Sequence, residues 1–455
     1  MLIKKSIYKI TAVLALIGFT ACESQLDLKP ISAIGDNGFY SNTEEVEAAV
    51  FAIYDGLQNT VQREFALTEM RSDNTKTKNS EGEWAQFEHM NVSPTNGTLS
   101  DYWVFMYNVV YRSNKVIASL DVVGDDTTKK LFEAEARFNR GLMYFNLTRG
   151  FGEVPLVTGI INPGDESGST RGAYNEIYAQ IESDLMFAVE NLPTRGNIQE
   201  GRATKGAAQA LLAKVKLTTG DYSGAKTLLE AVMNSGDYAL VDEFSDVFYD
   251  ELNSEIIFAI QFLNDNTAES QDFSYEFTKL GSTSGINYVT ADFKANVDVN
   301  DTERAAVLYS PEDANELGKF LTSSADNSLC GNDWIVLRLA DVYLMYAEAI
   351  MAGAETTTDA DAVNAYNMIR DRVGLSTLTA GATLTKDALM LERRVELAFE
   401  NHRLYDLVRF GVAEEVMGNF AENNGFPFNA TKLLLPIPQR EIDTSYGLLS
   451  QNPGY

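Results

Sequence analysis

The sequence predicts a mostly α fold: a tetratricopeptide-like helical scaffold with long irregular loops and a few short strands. Three observations predict it. Apolar residues recur at helical spacing through most of the chain, residues 203–235 pair small residues with a tight turn, and residues 236–330 lose the periodicity. With 45% hydrophobic content over 455 residues, the chain can bury a large core in more than one packed sub-region.

The elements follow in order. Glu44–Leu57 reads as the first amphipathic helix, with Val46, Val50, Ile53 and Leu57 on one face and Ser41 or Asn42 as its cap. Residues 70–100 are polar and loop-like. Helices are expected at about 101–120, 129–149 and 173–191, with Gly150 to Pro155 as a short extended turn. In 203–235, Ala207, Ala208, Ala210 and Ala213 allow a close helix neighbour, and Gly220-Asp221-Tyr222 makes the turn. The offsets of Ala213, Gly220, Tyr222, Ala225 and Leu229 resemble one 34-residue tetratricopeptide unit. A second pair is expected at Arg338–Ile350 and Ala360–Arg372, although generic antiparallel helices would show the same stripes. Such repeats need neighbours to bury their faces, so the other helices should complete a stack.

Residues 236–330 combine strand-like pieces such as Glu255–Phe262 with Gly-, Ser- and Asn-rich loops. A long helix is expected at about 384–410. Its Glu392, Glu396 and Glu400 form a row of like charges that would destabilise an isolated helix. Arg393, Arg394 and Arg403, with Arg409 beside Asp406, point to an ion-pair network fastening the helix to the core; an acidic site is the competing reading. His402 reads as a packing residue.

The N-terminus carries Lys4, Lys5 and Lys9, then a mostly apolar run from Ile10 to Phe19, then Thr20-Ala21-Cys22. That is the layout of a signal peptide, with an apolar stretch shorter than the roughly 20 residues a bilayer span needs. Phe19 to Cys22 resembles a bacterial lipobox, in which the thiol of Cys22 is acylated and becomes the new N-terminus. Removing residues 1–21 takes away three lysines and no acids, so the formal charge moves from −29 to −29 − 3 = −32. A general nucleic-acid binder is excluded, because neutralising phosphates needs a basic face. Once Cys22 is acylated, Cys330 has no partner, so no disulfide framework is expected. Two histidines, His89 and His402, are little material for a zinc site or a Ser-His-Asp triad.

Six motifs in order then resemble one family. They are the lipobox leading to Leu26-Asp27-Leu28-Lys29-Pro30, the run Gly150-Phe151-Gly152-Glu153-Val154-Pro155-Leu156-Val157, and Arg338 to Ala349. Glu392 to Arg409, Leu435-Pro436-Ile437-Pro438 and the closing Gln451-Asn452-Pro453-Gly454-Tyr455 complete the set. The chain resembles the SusD/RagB family of outer-membrane lipoproteins of Bacteroidota. The resemblance implies a cell-surface, lipid-anchored, non-catalytic binder of oligosaccharide that sits as a lid on a SusC-like TonB-dependent transporter. It also implies a division into a signal peptide at 1–21, a lipidated tether at 22–29, an N-terminal helical region at 30–240 and a C-terminal region at 241–455. The last holds a loop-rich segment, 241–335, and helices within 338–410. Some relatives of this kind handle peptides or other nutrients. A surface glycoside hydrolase using two carboxylates and a helical-repeat adaptor for proteins alone are the readings from other classes.

Sugar recognition needs an exposed aromatic face against the C–H face of the ring, with polar side chains pairing the hydroxyls. Two loop segments offer both. One is Glu69 to Asn74 followed by Trp84, and in related proteins the corresponding segment contributes to the glycan site, which singles out Arg71, Asp73, Asn74 and Trp84. The other is Phe273–Tyr288, with Tyr275 and Tyr288 as its candidates beside Phe273 and Phe277. Trp103 and Trp334 lie among apolar neighbours and are assigned to packing. One Asp-Asn pair, Asp73–Asn74, is thin ground for a calcium site, and neither metal nor cofactor is expected.

Overall fold

A computed structural model describes residues 40–78, 82–161, 165–278, 280, 286–322, 324–326 and 329–455. The expected signal peptide, Cys22 and the tether lie outside the described residues.

Helix α1, Thr43–Leu67, starts where the Asn42 side chain accepts a hydrogen bond from the Glu45 amide at 2.9 Å. It runs ten residues past the expected end at Leu57, because Val61 and Phe65 continue the stripe of Val46, Val50, Ile53 and Leu57. Helix α2, Gly97–Ala118, is capped by Asn96, and α3, Asp126–Phe151, by Asp125. Next come α4, Tyr174–Asn191, α5, Lys205–Thr219, and α6, Tyr222–Met233. Between α5 and α6, Gly220 takes the left-handed conformation (φ 81°) that a β-carbon resists, and the Asp221 carboxylate caps α6. Gly141 on α3 serves a different purpose. A β-carbon there would lie 3.1 Å from Leu185, so its absence lets α3 and α4 close on each other.

Each of these helices packs on the next in sequence, as the stack requires. The series continues from α6 to α7, Leu339–Met351, although 105 residues separate Met233 from Leu339, and then to α8, Ala360–Arg372. The irregular segment is therefore an insertion between two consecutive members of the helical array. It is tied at its base by β2, Ile256–Ile260, which pairs antiparallel with β4, Trp334–Arg338, immediately before α7. Two smaller ladders pair β1, Thr75–Lys76, with β3, Tyr288–Val289, and β5, Thr356–Thr357, with β6, Leu384–Thr385. The expected long helix at 384–410 is two: α9, Lys386–Glu396, and α10, Arg403–Arg409, followed by α11, Ala413–Asn424.

The break after α9 has a physical cause. The carbonyl oxygens of Glu396 and Ala398 accept hydrogen bonds from the buried Lys319 ammonium at 3.1 and 2.8 Å, and Arg338 Nη2 also donates to Glu396 O at 2.7 Å. Those cations take carbonyls that a continued helix would need, and Phe399 and Asn401 turn the chain with positive φ. The three glutamates form a buried ion-pair network rather than an acidic site. Glu392 meets Arg304 and Arg370, Glu396 meets Arg304, Arg338 and Arg372, and Glu400 meets Arg338 and Lys319. Burial alone would raise the Glu396 carboxyl, but the charges of Arg372, Arg338 and Arg304 outweigh it and hold it well below the ordinary value. Burial, helped by the Lys214 charge, lowers His402 to about 3, so at neutral pH it is an uncharged packing residue.

Candidate functional site

The two candidate segments, some 200 residues apart in sequence, meet in space. Thr75 pairs with Val289 and Lys76 with Tyr288 across the β1–β3 ladder, joining them backbone to backbone. Phe65, near the end of α1, is the second junction. Its ring centroid lies 5.7 Å from Trp84, 5.9 Å from Phe273 and 5.5 Å from Phe277. These are edge and tilted contacts of the kind aromatic rings favour.

The individual side chains divide into two kinds. Arg71 is only 1% exposed and donates to the Leu433 carbonyl at 2.6 Å. Asp73 is gripped by Arg403 through two 2.8 Å hydrogen bonds and lies 3.0 Å from Arg394 Nη2. Burial would raise its carboxyl, and the Arg403 hydrogen bond and the two positive charges reverse the sign and hold it low. Asn74 donates to Glu69 at 2.8 Å and accepts from Arg394 Nε at 2.9 Å. These three side chains anchor the end of α1 to the C-terminal helices and have almost no surface to offer a ligand. Both Asp73 oxygens are engaged by guanidinium groups, which leaves no vacant carboxylate for a calcium ion. Among the described residues, no cluster of three acidic, histidine or cysteine side chains is placed to hold a metal.

Tyr288 is likewise buried, its hydroxyl 3.0 Å from Glu316 Oε1, with the Lys78 ammonium 5.6 Å above its ring. It therefore supports the site from beneath and cannot stack a sugar in this arrangement. Trp84, on the short helix Gly82–Glu88, and Tyr275, on the short helix Phe273–Glu276, are the two candidates with part of their surface in solvent. Trp84 rests on Phe65 and Phe87, and the Tyr275 hydroxyl donates to the Ser324 carbonyl. Trp103 and Trp334 are each 3% exposed and belong to the core.

Phe65, Phe273 and Phe277 thus form a buried aromatic cluster, with the partly exposed Trp84 packed on Phe65 and the partly exposed Tyr275 carried by the short helix that supplies Phe273. Phe65 was not singled out in the sequence, because on α1 it continues the buried stripe and nothing local marks it as a junction.

Two family models match the chain. The model described as the SusD family covers residues 315–455, and the one described as starch-binding associating with outer membrane covers 25–217. The chain belongs to the SusD/RagB family. One relative, SusD-like protein P2 of Formosa agariphila, is 26% identical over 98% of this chain and 99% of its own length. A SusD-like protein of Bacteroides ovatus is 26% identical over 89% and 83%. Among solved structures, a laminarin binding SusD-like protein is 29% identical, covers 91% of this chain and 100% of its own, and superposes with a TM-score of 0.77. A surface glycan-binding protein A from Bacteroides thetaiotaomicron in complex with laminarihexaose shares the fold at 24% identity, TM-score 0.76, over 90% and 99%. The SusD fold accordingly accounts for the helical array and for the insertion that carries half of the candidate face.

Proposed function

We propose that this protein is a non-catalytic glycan-binding lipoprotein of the cell surface, which captures oligosaccharide and delivers it to a SusC-like TonB-dependent transporter in the outer membrane. One observation supports the reading above the others: the chain is similar along nearly its whole length to a protein that binds laminarin, and its partly exposed Trp84 is backed by the buried ring of Phe65. Such a surface suits the apolar face of a sugar ring, and a rigid support keeps the entropy cost of binding low. Anchoring through acylated Cys22 holds the protein at the membrane, since a strongly negative chain gains nothing from anionic lipid. Among the described residues, no helix is long and apolar enough to cross a membrane.

The test is affinity electrophoresis of the mature protein in native gels containing laminarin, xyloglucan or starch. Retardation by at least one of them is the expected result. Migration unchanged in all three, together with capture of a peptide mixture, would overturn the glycan assignment. Sugar released from a retained polymer by the purified protein would overturn the non-catalytic one.

A further inference from the structure

A groove of about 520 Å³ opens along the N-terminal half of α1, apart from the Trp84 and Tyr275 edge. Its walls come from three places in the sequence: Phe51 and Gln58 on α1, Gln199 and Arg202 in the loop before α5, and Gln261 and Leu263 after β2. Phe51 is 40% exposed and Leu263 is 51% exposed, so two large apolar side chains face solvent across one depression. The Phe51 ring is held in place by another residue of the groove wall. The Arg202 guanidinium stands 5.0 Å over it and is itself fixed by Glu135 at 2.5 and 2.8 Å. The Gln58 amide is fixed as well, donating to the Gln261 carbonyl at 2.8 Å and to Glu269 at 3.1 Å.

The chemistry narrows the occupant. Asp55 is paired with Arg112 and the lining cation Arg202 with Glu135, which leaves Glu200 and Glu269 to make the groove negative, so an anionic ligand is repelled. Gln199 and Gln261 supply side-chain amides, and Gln58, its N–H groups already engaged, keeps its carbonyl oxygen as an acceptor; these groups match the hydroxyls of a neutral polyol. The volume is that of an ordinary small-ligand pocket. The groove also shares a helix with the candidate face. Phe51 and Phe65 are 14 residues apart on α1, or about 21 Å along the axis at 1.5 Å per residue.

We infer that this groove is a second, distal subsite for a neutral oligosaccharide, bound as a continuation of the chain held at Trp84 and Tyr275. The inference rests on the glycan-binding reading above. Two subsites, one on α1 and one supported by it through Phe65, would bind a long chain more tightly than either alone and leave a short one unaffected, because only a long chain reaches both.

The experiment uses the full mature protein, the polysaccharide of the panel that retards it most, and the disaccharide of that polymer. Phe51→Ala should weaken retention by the polymer about three- to tenfold, and Leu263→Gln, on the opposite wall, should act in the same direction. Phe51→Tyr keeps the ring and should retain close to wild-type behaviour. The affinity for the disaccharide, measured by titration calorimetry, should stay within twofold in all three. Unchanged polymer retention in Phe51→Ala or Leu263→Gln, alongside a loss in Trp84→Ala, would overturn the distal subsite and leave the glycan-binding reading intact. A wild-type protein retarded by no polysaccharide would overturn both. If Phe51→Ala lost binding of the disaccharide as well, or Phe51→Tyr failed to restore the polymer, the continuation model would be wrong.

Discussion

Arg338 and Glu400 meet in the interior through two hydrogen bonds, Nε to Oε2 at 2.7 Å and Nη2 to Oε1 at 2.9 Å. Arg338 ends β4, at the base of the insertion, and Glu400 lies in the turn that follows α9. The pair therefore ties the root of the insertion to the C-terminal helices.

Removing that guanidinium takes a partner from three buried carboxylates at once, since Arg338 Nη1 also pairs with Glu255 at 2.8 Å and Glu396 at 2.6 Å. Breaking one side of a buried ion pair costs about 3–5 kcal/mol. Arg338→Met should lower stability by at least that amount in urea or thermal unfolding. Arg338→Lys should lose less but still measurably, because one ammonium cannot reproduce the fork. A Met variant as stable as the parent would show that the network contributes nothing.

Glu64 offers a pH test with a definite sign. Burial raises its carboxyl to about 7, against the lowering influence of Arg149. A raised folded-state value means that its contribution is fully present below the unfolded value of about 4.5 and is lost as pH rises to about 7. Glu64→Gln removes that loss. The variant should match the parent near pH 4.5, gain on it between pH 4.5 and 7, and stay ahead above 7 by on the order of 3 kcal/mol. Melting temperatures of both proteins across pH 4–8 check this, and a constant difference at every pH would contradict it. The depressed carboxylates Glu396 and Asp406 act in the opposite sense, and their share is lost as pH falls below their ordinary range.

Trp84 and Tyr275 should carry ligand contact, whereas Arg71, Asp73, Asn74 and Tyr288 should carry stability. Trp84→Ala or Tyr275→Ala is expected to weaken glycan retention about fivefold or more, the equivalent of about 1 kcal/mol. Asp73→Asn should instead lower the melting temperature, because Arg394 and Arg403 lose their shared counter-charge. Paired retention and melting measurements separate the two groups.

Two glycines make a contrasting pair. A β-carbon on Gly318 would lie 2.3 Å from the Val307 carbonyl oxygen and 2.5 Å from that of Tyr309, backbone atoms that cannot step aside. Gly318→Ala should cost about 1–3 kcal/mol. Gly124→Ala, with nothing within 4 Å of the added carbon, should be close to neutral. Equal effects on unfolding would refute the steric account.

Cys22→Ala tests the anchor. The substituted protein should be left uncleaved or recovered in the soluble fraction of the cells, and co-sedimentation of a processed form with outer membranes would refute acylation at this position.

The helical array was legible because its signal is local. Ala207 to Ala213, Gly220 and Asp221 each report on their own turn of chain, and α5 and α6 lie where they indicate. The break after α9 was not legible, since its cause is Lys319, about 80 residues away in sequence. The same distinction sorts the site. Loop composition singled out 69–84 and 273–288, which the β1–β3 ladder joins, but composition cannot tell an arginine facing solvent from Arg71 turned toward Leu433. Phe51 did leave a local trace: it is a large aromatic off the apolar stripe of α1, on the side that a purely structural helix would fill with polar residues.

The clamp on Asp73 also dictates an order of events. A ribosome makes the candidate face's first half more than 300 residues before Arg394 and Arg403, and Glu69 waits as long for the Asn401 amide that it accepts at 3.1 Å. Contacts of such sequence separation close late. Until the final part of the chain arrives, the end of α1 holds two carboxylates that have no reason to leave water. The candidate face is thus the last to be finished, and a chain truncated before α9 would carry every candidate contact residue without the support that positions it.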